Sequence, residues 1–372
     1  MRKTVLFTGG GSAGHVTPNI ALFEQLLAEG CDLHYIGTRD GMERGLIEGC
    51  KNIHYHAISA GKLRRCFSWK NFTDPFRVIA GAAQARALLK KIGPDVVFSK
   101  GGYVSVPVVA AAKALNIPVV THESDYTPGL ANKINARFAD KVCVTFEDTL
   151  RHVGEKGVHT GTPIRPELYF GARAKGLEFL GFSGKKPVLL VMGGSLGSVA
   201  VNVAVRGALS ELLETFDVAH LCGKGKVDAA LLTVSGYCQF EYVDKELPDV
   251  LAAAELVVSR AGANAVFELL ALGKPALLIP LPLAESRGDQ ILNARYFLRK
   301  GYAMMLEQEK LTKESLLAAV GGLYAKRLSF VATMSREPLA DGTDEVLSVI
   351  RAAMYAQRKK KAKSGKDDDG AL

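Results

Sequence analysis

The chain has 372 residues, 48% hydrophobic and 23% charged, with 47 Lys and Arg against 38 Asp and Glu, a formal net charge of +9. The length exceeds one ordinary core and predicts two domains; the composition excludes a disordered or fibrous chain, and the basic balance predicts an anionic partner. No apolar run reaches the roughly 18 residues of a membrane span, and Met1-Arg2-Lys3 leads straight into an apolar segment, so no secretory leader is expected. The six cysteines lack any C-x-x-C spacing, which argues against a zinc site or disulfide framework and predicts a reducing compartment.

Thr4–Thr8 reads as a strand and ends in Gly9-Gly10-Gly11-Ser12-Ala13-Gly14-His15, before a helical stretch from Ile20 to Glu29. A strand ending in glycines and opening a helix aims backbone N–H groups and the positive helix end at one spot, where a phosphate sits well. Gly9-x-Gly11-x-x-Gly14 also matches the dinucleotide fingerprint, which requires an acid closing the second strand. The strand Asp32–Ile36 is followed by Gly37-Thr38-Arg39, with Asp40 one step late, so the match is formal only. His15 reads either as a polar residue starting a helix or as a base beside the loop.

After a strand at Ile53–Ala57 comes a basic and aromatic stretch, with Lys62, Arg64, Arg65, Phe67, Trp69 and Phe72. It reads as an interfacial membrane patch, or as core aromatics beside solvated cations. A helix is predicted over Phe72–Lys91, then a strand at Val96–Ser99. Lys100-Gly101-Gly102-Tyr103 gives a further set of loop donors before a helix over Val104–Leu115. Strands at Val119–His122 and Lys141–Val144 follow, the former leading into Glu123-Ser124-Asp125 and Pro128-Gly129, where active-site groups collect.

Gly161-Thr162-Pro163-Ile164-Arg165-Pro166 interrupts regular structure and divides the chain into domains 1–162 and 163–340. The second half repeats the pattern. Strands are expected near Val188–Met192, Ala219–Cys222, Cys238–Tyr242, Leu256–Ser259, Ala276–Pro280 and Tyr302–Met305. Helices are expected at Ala200–Leu213, Val250–Ala254, Ala263–Leu272 and Gln290–Lys300. A second phosphate loop, Gly193-Gly194-Ser195-Leu196-Gly197-Ser198, follows the first of these strands, and Ser259-Arg260-Ala261-Gly262 leads into the helix carrying Glu268. The last helix, 341–358, is expected to return to the first domain. The basic and acidic tail 359–372 is expected to be disordered, with loose attraction to anionic lipid as its second reading. The alternation predicts an α/β chain whose parallel sheets face across a cleft.

These loops, with Gly101-Gly102-Tyr103-Val104-Ser105, His122-Glu123, Pro128 to Lys133, Gly161 to Arg165 and Asp289-Gln290, occur in an order that resembles the MurG family. These are the peptidoglycan N-acetylglucosaminyltransferases of the GT-B fold, with two Rossmann-like domains. The resemblance spans nearly the whole chain. It implies transfer of N-acetylglucosamine from UDP-GlcNAc to the 4-hydroxyl of the MurNAc of lipid I (undecaprenyl-diphospho-MurNAc-pentapeptide), giving lipid II, with inversion, no metal and no cofactor.

The resemblance implies donor contacts from Ser12, Ala13, Gly14, Arg165, Ser195, Val243, Ala263, Glu268 and Gln290. It implies acceptor diphosphate contacts from Gly11, Gly101, Gly102 and Tyr103, and His15 as the base, with Glu123 as the alternative. The chain departs from the family pattern His-Glu-Gln-Asn at Ser124-Asp125, so the asparagine's donor contact does not carry over to Asp125. The remaining partners implied are an anionic membrane surface, met at the cytoplasmic face, and proteins of cell-wall synthesis. Another GT-B transferase acting on a lipid, a UDP-sugar epimerase and a non-catalytic nucleotide-sugar binder share the donor loops. A nucleic-acid binder is disfavoured, since no reading helix or RNP-like motif accompanies the charge.

Overall fold

The computed structural model describes residues 2–61, 70–194 and 197–368, with backbone alone over 70–78 and 362–368. The chain forms two compact units, Met1–Arg165 with Gly342–Leu372, and Pro166–Asp341. The division lies three residues beyond the expected boundary at 162.

The first unit holds a parallel sheet of β1 (Thr4–Thr8), β2 (Asp32–Thr38), β3 (Ile53–Ile58), β4 (Val96–Ser99), β5 (Val119–Glu123), β6 (Lys141–Val144) and β7 (Gly157–His159), in the order β3-β2-β1-β4-β5-β6-β7. Side chains alternate across a strand. Val5 and Phe7 therefore enter one buried cluster with Leu33, Tyr35 and Phe98, while Leu6 enters another with Ile36, Val97, Ala85 and Leu89. The last helix, Thr343–Asp368, closes the first cluster with Val346, Leu347, Ile350 and Met354. It runs through the stretch expected to be disordered from 359, and Lys361 Nζ pairs with Asp95 Oδ1 at 3.0 Å.

The second unit repeats the design with β8 (Val188–Met192), β9 (Asp217–Leu221), β10 (Tyr237–Phe240), β11 (Ala254–Ser259), β12 (Ala276–Leu278) and β13 (Ala303–Met305), ordered β10-β9-β8-β11-β12-β13. Every strand pair in both sheets is parallel. The 22-residue helix Lys313–Met334 has the length and apolar composition of a membrane span, against the expectation of none. Its Leu316, Val320 and Leu323 are buried in the core of the second unit, and Arg327 pairs with Glu255 at 3.0 Å.

In each sheet the chain runs outward from a central strand to one side, then returns and runs outward to the other. The reversal falls between β1 and β4 in the first unit and between β8 and β11 in the second. Ligands of open α/β sheets bind beyond the carboxyl ends of the strands at this reversal.

Candidate functional site

At the first reversal two glycine loops meet. Gly11 and Gly102 have φ of +87° and +80°, which glycine adopts without strain. A Cβ on Gly102 would lie 2.1 Å from Gly10 O, so the loop after β4 rests on the backbone of the loop after β1. Buried Tyr35 fixes the floor by donating its hydroxyl to Gly9 O at 2.9 Å. Tyr103 packs against Gly11, where a Cβ would come within 2.8 Å of its ring. The four residues expected at the acceptor diphosphate, Gly11, Gly101, Gly102 and Tyr103, thus lie on these two loops. His15 ends the 3₁₀ turn Ala13–His15, and Ser12 Oγ lies 2.9 Å from its Nδ1.

Beside these loops, at the carboxyl end of β5, lies a buried polar cluster. His122 is fully buried, and its Nε2 lies 2.9 Å from Gly161 O. A carbonyl only accepts, so Nε2 carries the proton and Nδ1 accepts from Lys100 Nζ at 2.6 Å. Burial and then the Lys100 charge hold His122 well below its ordinary value, which keeps it neutral. Burial likewise pulls Lys100 down to about 7, against the opposing pull of Glu123. The Glu123 carboxyl is pushed up to about 7 by burial and by Asp125. Its oxygens accept from the Asp125 amide at 2.8 Å, the Gly129 amide at 3.0 Å and Asn132 Nδ2 at 2.9 Å, which shapes the turn before the helix Leu130–Phe138.

At the second reversal, Gly194 and Gly197 have φ of +84° and +68°. A Cβ on Gly197 would lie 1.9 Å from Cys222 O. Ser198 caps the helix Val199–Gly207 by accepting from Val201 N. Arg260, nearly buried, donates to Ser198 Oγ at 2.6 Å, to Ile279 O and Pro280 O at 3.0 and 3.2 Å, and to Gln308 Oε1 at 2.6 Å. One guanidinium thereby joins the loops that follow β8, β11, β12 and β13.

Of the residues assigned to the donor, Val243, Ala263, Glu268 and Gln290 belong to this second unit. Val243 and Ala263 are buried, Ala263 opens the helix Ala263–Ala271, and Glu268 is half-buried on that helix. Gln290 accepts from Leu281 N at 3.1 Å. Ser12, Ala13, Gly14 and Arg165 belong to the first unit. Ser195 lies outside the described residues, as do Lys62, Arg64, Arg65, Phe67 and Trp69, and the side chain of Phe72 does too.

Glu43, Lys100, Asn132 and Arg260 carry no assigned role in the sequence reading, although each contacts a loop that it singled out. Among the described residues, no group of three or more His, Cys, Asp or Glu side chains is placed to hold a metal ion.

The glycosyltransferase family 28 N-terminal domain matches residues 5–144, and the family 28 C-terminal domain matches residues 188–348. Among curated relatives, a UDP-N-acetylglucosamine–N-acetylmuramyl-(pentapeptide) pyrophosphoryl-undecaprenol N-acetylglucosamine transferase from Lachnospira eligens is 54% identical over 94% of this chain and 99% of its own. Enzymes of the same name from Geobacillus thermodenitrificans and Clostridium tetani are 52% and 50% identical, each over 94% of this chain and over 99% and 98% of their own. Among solved structures, MurG of Acinetobacter baumannii superposes with a TM-score of 0.75 at 27% identity, covering 94% of this chain and 99% of that one. The calicheamicin glycosyltransferase CalG4 shares the fold alone, with a TM-score of 0.68 at 16% identity over 95% of this chain and 98% of that one. The repeated strand order, the glycine loops at both reversals and identity sustained along the chain converge on one conclusion: this protein belongs to glycosyltransferase family 28, among the MurG N-acetylglucosaminyltransferases.

Proposed function

We propose that the chain transfers N-acetylglucosamine from UDP-N-acetylglucosamine to N-acetylmuramyl-(pentapeptide) pyrophosphoryl-undecaprenol, lipid I, making lipid II. The observation that carries this reading is identity of 50–54% to transferases of that name over 94% of the chain. Each unit's phosphate loops at a sheet reversal support it, because the reaction needs two diphosphates, one on the donor and one on the acceptor.

In this reading the second unit holds UDP through the Gly193–Ser198 loop, with Val243 at uracil, Glu268 at the ribose and Gln290 at the sugar. The first unit holds the acceptor diphosphate at Gly11, Gly101, Gly102 and Tyr103. His15 takes the proton of the attacking 4-hydroxyl, its ring oriented by Ser12. Glu123, with its carboxylate engaged by two amides and Asn132, serves the loop that it folds. Backbone donors and helix ends take up the charge that grows on the departing diphosphate. The stretch 62–72, with its cations and aromatics, docks the protein on anionic lipid at the cytoplasmic face, where the acceptor's tail is embedded.

The test is a purified-enzyme assay with UDP-GlcNAc and a short-chain lipid I analogue, read by mass spectrometry of the product. Addition of one N-acetylhexosamine is the expected result. An acceptor left unmodified, or epimerised UDP-GlcNAc as the sole product, overturns the reading. Flotation with vesicles containing cardiolipin or phosphatidylglycerol tests docking; the Arg64→Glu, Arg65→Glu double variant should lose it.

A further inference from the structure

Glu43 has no part in the chemistry above, yet it is fully buried beneath the first glycine loop. It lies in the first turn of the helix Met42–Glu48. An ionised carboxylate is costly to bury unless both oxygens are hydrogen-bonded. Here Oε1 accepts from Thr38 N at 2.9 Å and Thr38 Oγ1 at 2.5 Å, while Oε2 accepts from Gly11 N at 3.3 Å.

The surrounding backbone keeps a space for this group. A Cβ on Gly10 would lie 2.7 Å from Glu43 Cδ, one on Gly41 would lie 2.2 Å from Oε1, and one on Gly37 would lie 2.9 Å from Cγ. A side chain at any of these three positions would crowd the carboxylate where it now sits, and at Gly37 the Tyr55 hydroxyl as well, 2.3 Å away. The Tyr103 ring packs on Gly11, whose amide the carboxylate holds. The β4 loop rests on Gly10 O, so the carboxylate's support of Gly10-Gly11 reaches both loops.

We propose that Glu43 is a positioning residue for the acceptor diphosphate. Its carboxylate sets the conformation of Gly10-Gly11 from below, and through Gly11 and Gly10 it sets Tyr103 and Gly102. The assignment rests on the reading that places the acceptor diphosphate on these loops. It makes a definite claim about an isosteric change. Each carboxylate oxygen accepts from a backbone N–H, and a carboxamide has one acceptor oxygen. In Glu43→Gln an NH₂ must therefore face either Thr38 N–H or Gly11 N–H, which displaces the loop although the shape is kept. If the carboxylate acted only as a negative charge near the phosphates, the same substitution would strengthen acceptor binding.

The experiment measures KM for the lipid I analogue and for UDP-GlcNAc separately, in wild type and Glu43→Gln, with melting temperature as the folding control. The expected result is a rise of at least about tenfold in acceptor KM, with the UDP-GlcNAc KM within twofold of wild type. An acceptor KM that is unchanged or lower, or two KM values that rise together, overturns the assignment. If Glu43→Gln does not fold, Thr38→Val decides by the same split, with an expected acceptor KM rise of about threefold. A wild-type enzyme that leaves the acceptor unmodified overturns the functional reading and this assignment together. An active wild type with an insensitive Glu43→Gln overturns the assignment alone.

Discussion

At the scale of single residues, the ring of His15 and the buried Lys100 make separable predictions. Ser12 Oγ holds His15 Nδ1 at 2.9 Å and so fixes the ring plane. In the role of base proposed for it, His15 would contribute about 10²–10⁴ in rate. His15→Ala should therefore lower kcat by that range with an unchanged melting temperature, and wild-type turnover would remove it from the role. Lys100 instead predicts a pH dependence of stability. Burial lowers it from 10.5 to about 7. Between those values the unfolded chain holds a proton that the folded chain has released, so Lys100 makes stability rise with pH across that window. Glu123, raised from 4.5 to about 7, acts below it: its contribution is full below pH 4.5 and is lost as pH climbs through 7. Urea unfolding at pH 7, 8 and 9 should show wild type gaining on Lys100→Met, by at most about 1.4 kcal/mol per pH unit. A difference that stays flat with pH would remove Lys100 as the titrating group.

At the scale of elements, the glycine loops were legible because the signal is local: an apolar run, glycines, then helix periodicity. Their supports were not. Gly11 and Glu43 are 32 residues apart, and Lys100 and Thr162 are 62 apart, so no motif links them. Sequence periodicity merges the helices Val199–Gly207 and Leu209–Thr215 into one, since their apolar positions run on across the break at Ala208. It also misses the helix Lys313–Met334 and the three-residue strand β7, half-exposed throughout. The loop after β8 carries its own prediction. With φ at +68° and a Cβ 1.9 Å from Cys222 O, Gly197→Ala strains the backbone by about 1–3 kcal/mol. The UDP-GlcNAc KM should rise at least about tenfold with the acceptor KM unmoved, and equal shifts in both would argue against a donor-specific loop.

At the scale of the whole molecule, the fold class was legible from alternation alone, and the sequence reading also expected the last helix to return to the first domain, but not the contacts that hold it there. Gly342 N donates to Thr162 O at 2.9 Å, and Ile164 N donates to Thr343 Oγ1 at 3.2 Å, so the segments leaving and re-entering the first unit are paired. The returning helix then buries Val346, Leu347, Ile350 and Met354 against the first sheet's cluster. Four such side chains at about 1.5–3 kcal/mol each amount to about 6–12 kcal/mol, comparable with the whole stability of a typical domain, about 5–15 kcal/mol. A chain ending at Asp341 should accordingly lose the protease resistance of its first unit while the second remains intact. Full resistance of residues 2–165 in that truncation would contradict the estimate.

The same discontinuity imposes an order on synthesis. A ribosome making this protein finishes every residue of the second unit before it reaches Gly342, so that unit can mature on the nascent chain while its predecessor waits for a missing piece. The glycine loops after β1 and β4 become part of a finished lobe only after translation has passed Gly342. A stalled or clipped product would therefore resemble half an enzyme, whole at its middle and unfinished at its beginning.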